Sequence, residues 1–409
     1  MNRIKNTDVF TSIKDQPNLP RYFRRIFKIL SNLDIGSIEV KLPDGRIFKA
    51  IGRNSGLEAR LDIIDQDCFA RLVRDGDIGF LEAYMDGQWT TPDLQVFMDV
   101  TFQNFHQLAT SFPGAGIVKV YEKIRHWLNS NSKRQARKNI SYHYDLGNNF
   151  YKLWLDKTMT YSSAFFETDQ VSLQDAQTKK YSQMCDEIGV KEGDHILEIG
   201  CGWGGFAEYA AGQRGAFVKG LTISQEQHDF AIERMKKAGL SDKVEIVMQD
   251  YRDEEKKYDG IASIEMFEAV GEKYWPVYFD KLHSCLKPNA KATLQIITIP
   301  DERFNEYRNS VDFIQKYIFP GGMLPTETIL KNEINRVGLQ YVNTIEFSKS
   351  YSITLRQWFD KFNEKWDNIS EMGFDDRFQR MWNIYLTGCA SAFEFNRTGL
   401  IQITMSNNK

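Results

Sequence analysis

The chain has 409 residues, more than one ordinary hydrophobic core absorbs, so two domains or one domain with an appendage are expected. Its 42% hydrophobic and 26% charged residues fit a folded protein, and a formal net charge of -3 excludes global attraction to nucleic acid or an anionic surface. The five cysteines form no CxxC pair and the six histidines no HExxH, which points away from a disulfide framework and from a bound metal.

In chain order, residues 1–18 are polar and read as a frayed tail, with no apolar segment of the signal-peptide kind. No window approaches the roughly 20 apolar residues of a membrane span. Pro20 to Leu33 reads as a short basic amphipathic helix. Ser37 to Lys49 alternates around Pro43-Asp44-Gly45, a turn between two strands. Helical patterns cover Asp67–Tyr84 and Leu94–Gln107, completing a small α+β module over residues 19–116. Residues 117–139 then form a basic helix and linker, with seven Lys/Arg between Lys119 and Lys138 against one acid, Glu122. They read either as a solvated joint or as a contact for anionic lipid headgroups, at about 1 kcal/mol per nearby cation.

From residue 140 to 409 strands alternate with helices, the pattern of a mostly parallel sheet. Strands are expected at 195–200, 216–222, 244–249, 260–264 and 291–299, with late strands at 340–347 and 399–404. After the first strand comes Glu198-Ile199-Gly200-Cys201-Gly202-Trp203-Gly204-Gly205. Glycines there let the backbone turn tightly and approach a ligand. The spacing is GxGxGG, not the GxGxxG of a dinucleotide cradle, and the strand order that follows favours S-adenosylmethionine. Asp250, after strand three, is placed to meet the adenine edge. Strand two ends in Thr222-Ile223-Ser224-Gln225-Glu226-Gln227, hydroxyls and amides where many methyltransferases carry an acid. Glu198, at the end of strand one, is a candidate support for the cofactor's amino group.

Eight ordered segments now converge. They are SYHYDLGNNFY (141–151), MTYSSAF (159–165), EIGCGWGG (198–205), GLTISQEQ (220–227), QDYRD (249–253), EMFEAVG (265–271), YIFPGGMLP (317–325) and TGCASAF (387–393). The series resembles the cyclopropane-fatty-acyl-phospholipid synthases and mycolic acid methyltransferases. The resemblance implies an α/β class I S-adenosylmethionine methyltransferase, Rossmann-like, with a seven-stranded mostly parallel sheet behind the N-terminal α+β domain. It implies that Tyr161 and Ser162 contact the cofactor's methionine end and that Gly200 and Gly202 let it approach. Thr222, Ser224 and Gln227 would hold the ribose side, and Asp250 with Tyr251 the adenine. Glu268 would face the reacting carbon.

An isolated double bond is a poor nucleophile, so catalysis begins with positioning the sulfonium against it. The resulting alkyl cation must be shielded by aromatic faces or a carboxylate. Phe304, Tyr307, Phe313, Tyr317 and Phe319, in an insertion at about 301–330, offer an apolar wall and lid, or equally the ordinary packing of that insertion. The family's synthases hold a bicarbonate ion as base in a Cys, Glu, His and Tyr cradle. Glu268 and Tyr351 match; Ser163 stands at the Cys position and Gln295 at the His position. Neither can carry positive charge. The expected product is a cyclopropane fatty acid on an unsaturated phospholipid. The alternative, motivated by Ser163 and Gln295, is a methyl- or methylene-branched chain. Small-metabolite N-methylation and a non-catalytic lipid-binding role are the competing readings. The scattered cysteines fit reduced thiols in a cytoplasmic protein, expected peripherally at the inner face of the membrane, and the resemblance further implies phospholipid partners and a homodimer.

Overall fold

The computed structural model describes residues 9–109 and 146–408. The basic segment 117–139 and the first residues of the 141–151 motif lie outside the described residues. Two compact units emerge: residues 1–124 with 370–395, and residues 125–369 with 396–409.

The first unit is a five-stranded sheet backed by helices. Its strands are β1 (Val9–Phe10), β2 (Ile35–Lys41), β3 (Ile47–Ile51), β4 (Asn54–Ile63) and β5 (Trp89–Thr90), in the order β1-β3-β2-β4-β5. The expected hairpin about Asp44-Gly45 is β2–β3, with Val40 opposite Phe48. Part of the expected frayed tail is in fact structured. Val9 and Phe10 pair with Ile47 and Phe48, and the Phe10 ring packs on Phe48 at 5.4 Å. Helices α1 (Phe23–Leu30), α2 (Asp67–Met85), α3 (Leu94–Gln103) and α4 (Phe105–Ala109) complete the N-terminal part. Phe23, at 5.1 Å from Phe48 and 5.4 Å from Phe69, centres an aromatic core.

The helix Asp376–Glu394, far along the chain, also belongs to this unit. Ser391 Oγ donates to buried Asp99 at 2.7 Å, and Gln95 Nε2 donates to both at 2.9–3.0 Å. Residues 140–409 were expected as one domain. The apolar stripe of 376–394 instead completes the first unit, so the segment holding TGCASAF leaves the second.

The second unit contains α5 (Asn148–Trp154), α6 (Leu173–Ile188), β6 (His195–Ile199), α7 (Gly205–Arg214), β7 (Phe217–Thr222), α8 (Gln225–Lys237), β8 (Val244–Met248), β9 (Tyr258–Ile264), α9 (Trp275–Cys285) and β10 (Leu286–Thr298). Then follow α10 (Asp301–Arg308), α11 (Phe313–Tyr317), α12 (Glu327–Arg336), β11 (Gln340–Glu346), α13 (Ser348–Glu364), α14 (Trp366–Ser370) and, beyond α15 (Asp376–Glu394) of the first unit, β12 (Gly399–Ser406). The seven-stranded sheet runs β11-β12-β10-β9-β6-β7-β8. β6 to β10 are mutually parallel, and β12 lies antiparallel between β10 and β11. Successive residues of β6 feed two cores: Ile196 packs with Val218 and Ala262, whereas Leu197 and Ile199 pack with Ile261 and Leu294. A parallel strand covered on both faces needs this nearly continuous apolar run. The strand order reverses beside β6, which opens a crevice at the carboxyl ends of β6 and β9. The loops EIGCGWGG and EMFEAVG both leave the sheet there.

Candidate active site

The loop after β6 sets the floor. Gly200 has φ 82°, and a Cβ on it would lie 2.7 Å from Met266 Cγ, so the β6 and β9 loops touch where only glycine fits. Gly202 has φ 51° and open space where a Cβ would stand. Beneath them Glu198 is buried, and its Oε2 has no hydrogen-bond partner. Burial pushes this carboxyl well above its ordinary range, while Arg234 and Lys180 pull it back. A buried acceptor at the floor of a glycine loop fits an incoming ammonium.

At the end of β7, Thr222 Oγ1 donates to Gln227 Oε1 at 3.0 Å, and Ser224 caps α8 by accepting from the Gln227 amide at 3.4 Å. The three expected ribose-side residues therefore form one cluster. Asp250 is buried after β8, with both its oxygens accepting from Arg252 at 2.6 and 2.8 Å. The adjacent Tyr251 ring meets Tyr278 at 5.2 Å. Asp250 and Tyr251 thus lie together at one edge, with the Asp250 charge already balanced by Arg252.

The strap 158–164 is tied down from several sides. Arg234 of α8 donates to Thr158 O at 2.7 Å and to Trp203 O at 3.3 Å, joining strap to glycine loop. Tyr161 lies in an aromatic box, its centroid 5.3 Å from Trp358, 5.4 Å from Tyr151 and 5.7 Å from Trp154. Ser163 Oγ donates to Ala164 O at 2.8 Å.

Two carboxyls close the site. Glu265 follows β9 in a left-handed conformation, φ 48°, a strain of about 1–3 kcal/mol for a residue with a Cβ. That turn brings its Oε1 to the amide of Ser163 and the Nε2 of Gln295, both at 2.8 Å, and its Oε2 to the Tyr351 hydroxyl at 2.6 Å. Gln295 is held in turn by its cross-strand partner Gln402, whose Nε2 donates to Gln295 Oε1 at 3.1 Å. Glu268, one 3-10 turn on, accepts the Ile297 amide on Oε1 at 2.5 Å, and its Oε2 is buried without a partner. Burial, and then the charge of Glu265, push the Glu268 carboxyl up to about 8. Glu265 is also raised by burial, but Tyr351, Lys180, Gln295 and Ser163 favour its anion. Glu268 therefore holds its proton at neutral pH.

Four of the five expected catalytic residues, Ser163, Glu268, Gln295 and Tyr351, come together in this cluster. Tyr317 is placed against Phe313 at 5.0 Å, with the Lys316 ammonium 5.5 Å over its ring, contacts that lie within the 313–317 helix itself. Tyr307 is fixed by its hydroxyl, which meets Leu324 N and Gln315 Nε2, both at 3.3 Å, and Phe304 packs toward Trp275. These contacts are those of a packed insertion.

The bicarbonate cradle expected from the resemblance does not fit these residues. The Ser163 hydroxyl, the Gln295 amide, the Tyr351 hydroxyl and the Ile297 amide all donate to protein oxygens. An added anion would face two carboxyls. Among the described residues no group of His, Cys, Asp and Glu is arranged to hold a metal, and none of the five cysteines is joined in a disulfide.

Glu265, Lys180, Gln402, Trp154 and Trp358 were not singled out from the sequence. Only the aromatics had a local signal there, the helical spacing of Phe150, Tyr151 and Trp154 and of Tyr351 and Trp358.

A seven-stranded sheet with this order, a glycine loop after its first parallel strand and polar clusters after the next two define a class I S-adenosylmethionine-dependent methyltransferase. Coclaurine N-methyltransferase shares the fold at 18% identity, with a TM-score of 0.61. A cyclopropane synthase from Mycobacterium tuberculosis superposes with a TM-score of 0.62 at 27% identity, covering 66% of this chain and 98% of that one. A crystal structure of a mycolic acid cyclopropane synthase complexed with SAH and CTAB matches equally. The model of the mycolic acid cyclopropane synthetase family matches residues 131–403, and the chain belongs to that family. It is 37% identical over 360 residues to the tuberculostearic acid methyltransferase of M. tuberculosis, covering 83% of this chain and 81% of the relative. It is 34% identical over 388 residues to the cyclopropane-fatty-acyl-phospholipid synthase of Escherichia coli, covering 90% and 95%. The protein is accordingly an S-adenosylmethionine-dependent methyltransferase of a family that acts on lipid acyl chains.

Proposed function

We propose that the protein methylates the cis double bond of an unsaturated phospholipid acyl chain and passes the released proton to Glu268, leaving a methylene-branched chain. The observation that carries this reading is the Glu268 carboxyl, raised to about 8, with one buried oxygen unengaged beside the cofactor loop.

S-adenosylmethionine supplies an electrophilic methyl group. The glycine loop, Glu198 and the Thr222–Gln227 cluster hold and orient it, and the box of Tyr161, Trp154 and Trp358 excludes water from the face where positive charge moves. As a C–C bond forms on one alkene carbon and the C–S bond breaks, the neighbouring carbon becomes cationic. A 1,2-hydride shift gives a tertiary cation at the methylated carbon. A C–H bond of the new methyl then breaks, its electrons form the exocyclic double bond, and the proton goes to the fraction of Glu268 that is ionised. Ring closure requires removal of the same proton before the hydride moves. A base that is mostly protonated at neutral pH favours the shift.

A second reading, cyclopropane formation, is favoured by the 95% coverage of the E. coli synthase. The relative named a tuberculostearic acid methyltransferase and a probable fatty acid methyltransferase of Pseudomonas putida, 35% identical, are named for methyl transfer and not for ring formation. No helix among the described residues is long and apolar enough to cross a membrane. We place the basic segment 117–139 at the anionic inner leaflet, as the contact that brings a cytoplasmic, homodimeric enzyme to its lipid. The test is incubation with methyl-labelled S-adenosylmethionine and vesicles of cis-monounsaturated phospholipid, followed by proton NMR of the acyl chains. Vinylidene signals support the reading. High-field ring protons replace it with the second, and no label in lipid removes both.

A further inference from the structure

Helix α6 carries two polar side chains, one turn apart, to which the reaction above assigns no direct step. Gln177 and Lys180 are both fully buried. Lys180 Nζ donates to Ser162 Oγ at 2.7 Å and to Gln177 Oε1 at 2.6 Å. Gln177 Nε2 donates to Ser162 O at 2.9 Å. Ser162 is thus gripped at both its side-chain and main-chain oxygens by a closed trio. The next residue of the helix, Tyr181, reaches Thr160 with its hydroxyl at 2.5 Å. On the other side, Glu265 accepts the Ser163 amide.

An ammonium is costly to bury, and a residue serving only to pack α6 would be apolar. Burial lowers Lys180 to about 7, with Glu265, Asp156 and Glu198 pulling it back up. Those carboxyls and the Tyr181 ring, 4.8 Å away, are the charged and aromatic groups that face it. Its two hydrogen bonds lead to the strap and to the residue that holds the strap.

We propose that Lys180 is a positioning residue for cofactor binding: through the Ser162 hydroxyl it fixes the 160–163 strap against the methionine end of S-adenosylmethionine. The proposal rests on the reading that Ser162 faces that end. Lys180 touches neither the acyl chain nor the reacting carbon, so its loss weakens cofactor binding first and reaches the chemical step only through the Glu265 carboxyl it faces.

The experiment compares wild type, Lys180→Met, Ser162→Ala and the double variant, each shown folded by circular dichroism. S-adenosylhomocysteine affinity is measured by calorimetry, and KM for S-adenosylmethionine and kcat on unsaturated vesicles by label transfer. Lys180→Met is expected to raise the cofactor Kd and KM roughly 10–100-fold, the range for a lost hydrogen bond to a charged group. kcat at saturating cofactor should fall by less than KM rises and no more than about 10-fold, through the Glu265 carboxyl that Lys180 faces. The double variant should bind no more weakly than Ser162→Ala, because both substitutions remove one interaction. Unchanged affinity in Lys180→Met, or losses that multiply in the double variant, overturns the role. If Lys180→Met does not fold, Gln177→Met cuts the same trio without removing the charge, and an unchanged KM there is equally fatal. Failure of the wild type to bind S-adenosylhomocysteine would instead remove the cofactor reading of the strap.

Discussion

Replacing Glu268 with Gln separates catalysis from stability. The side chain keeps its shape and its acceptor for the Ile297 amide, and loses only the ability to ionise and take up a proton. In the folded protein the carboxyl titrates near 8 instead of at its ordinary 4.5. A raised acid binds its proton more tightly when folded, so its contribution to stability is intact below about 4.5 and falls as pH climbs to about 8. At about 1.4 kcal/mol per pH unit, the cost of ionising it in place reaches ~5 kcal/mol above pH 8, an upper figure because water penetration relieves part of it. Glu268→Gln removes that cost. Urea unfolding at pH 5 should show little difference between variant and wild type, and at pH 9 the variant should be the more stable by several kcal/mol. Turnover should fall about 100-fold or more, in line with loss of a general base. In the wild type, kcat/KM should rise with pH through about 8 as Glu268 sheds its proton. Equal pH 5 and pH 9 stability differences, or turnover that survives the substitution, would show that Glu268 is neither buried as an acid nor the proton acceptor.

Tyr351→Phe deletes the 2.6 Å donor to Glu265 and should raise the Glu265 carboxyl further, lowering turnover about 10-fold while leaving S-adenosylhomocysteine affinity unchanged in calorimetry. Gly200→Ala puts a Cβ 2.7 Å from Met266 Cγ at φ 82°, and should weaken cofactor binding at least as strongly as it lowers the melting temperature. Gln402→Leu leaves the buried Gln295 Oε1 without its donor and should cost about 1–3 kcal/mol in chemical unfolding, with turnover reduced although residue 402 touches no substrate.

The parallel strands were legible because each is a short apolar run followed by a turn and a helical period. β10 extends further than expected, starting at Leu286. β4 was missed: its first half, Asn54-Ser55-Gly56-Leu57-Glu58, is exposed and reads as loop, although it pairs with β2 from Ile35 onward. The stripe of α15 announces a buried face without naming the unit that buries it. In the site, Glu268, Tyr351, Ser163 and Gln295 were legible through their motifs. Lys180 was not, because adjacent lysines on a helix look alike in sequence. Lys179 lies on the surface and pairs with Glu167 at 2.8 Å, whereas Lys180 is wholly enclosed. Glu265 was overlooked for a related reason. Of two acids three apart, the resemblance marks only Glu268, and it is the left-handed turn at Glu265 that sends the other to Ser163.

The position of β12 has a consequence for how the enzyme comes into being. During synthesis β10 and β11 emerge as edges that nothing joins, and the strand that belongs between them, residues 399–406, follows only after α15 has been made for the other unit. A long-range antiparallel insertion of this kind is slow, since its loop-closure entropy is lost before any pairing rewards it. Gln295 meets Gln402 only at that moment. From residue 298 until residue 399 is made, the nascent chain therefore carries an apolar strand edge that is open and a reaction centre that is unfinished, a window in which chaperones matter and activity cannot yet begin.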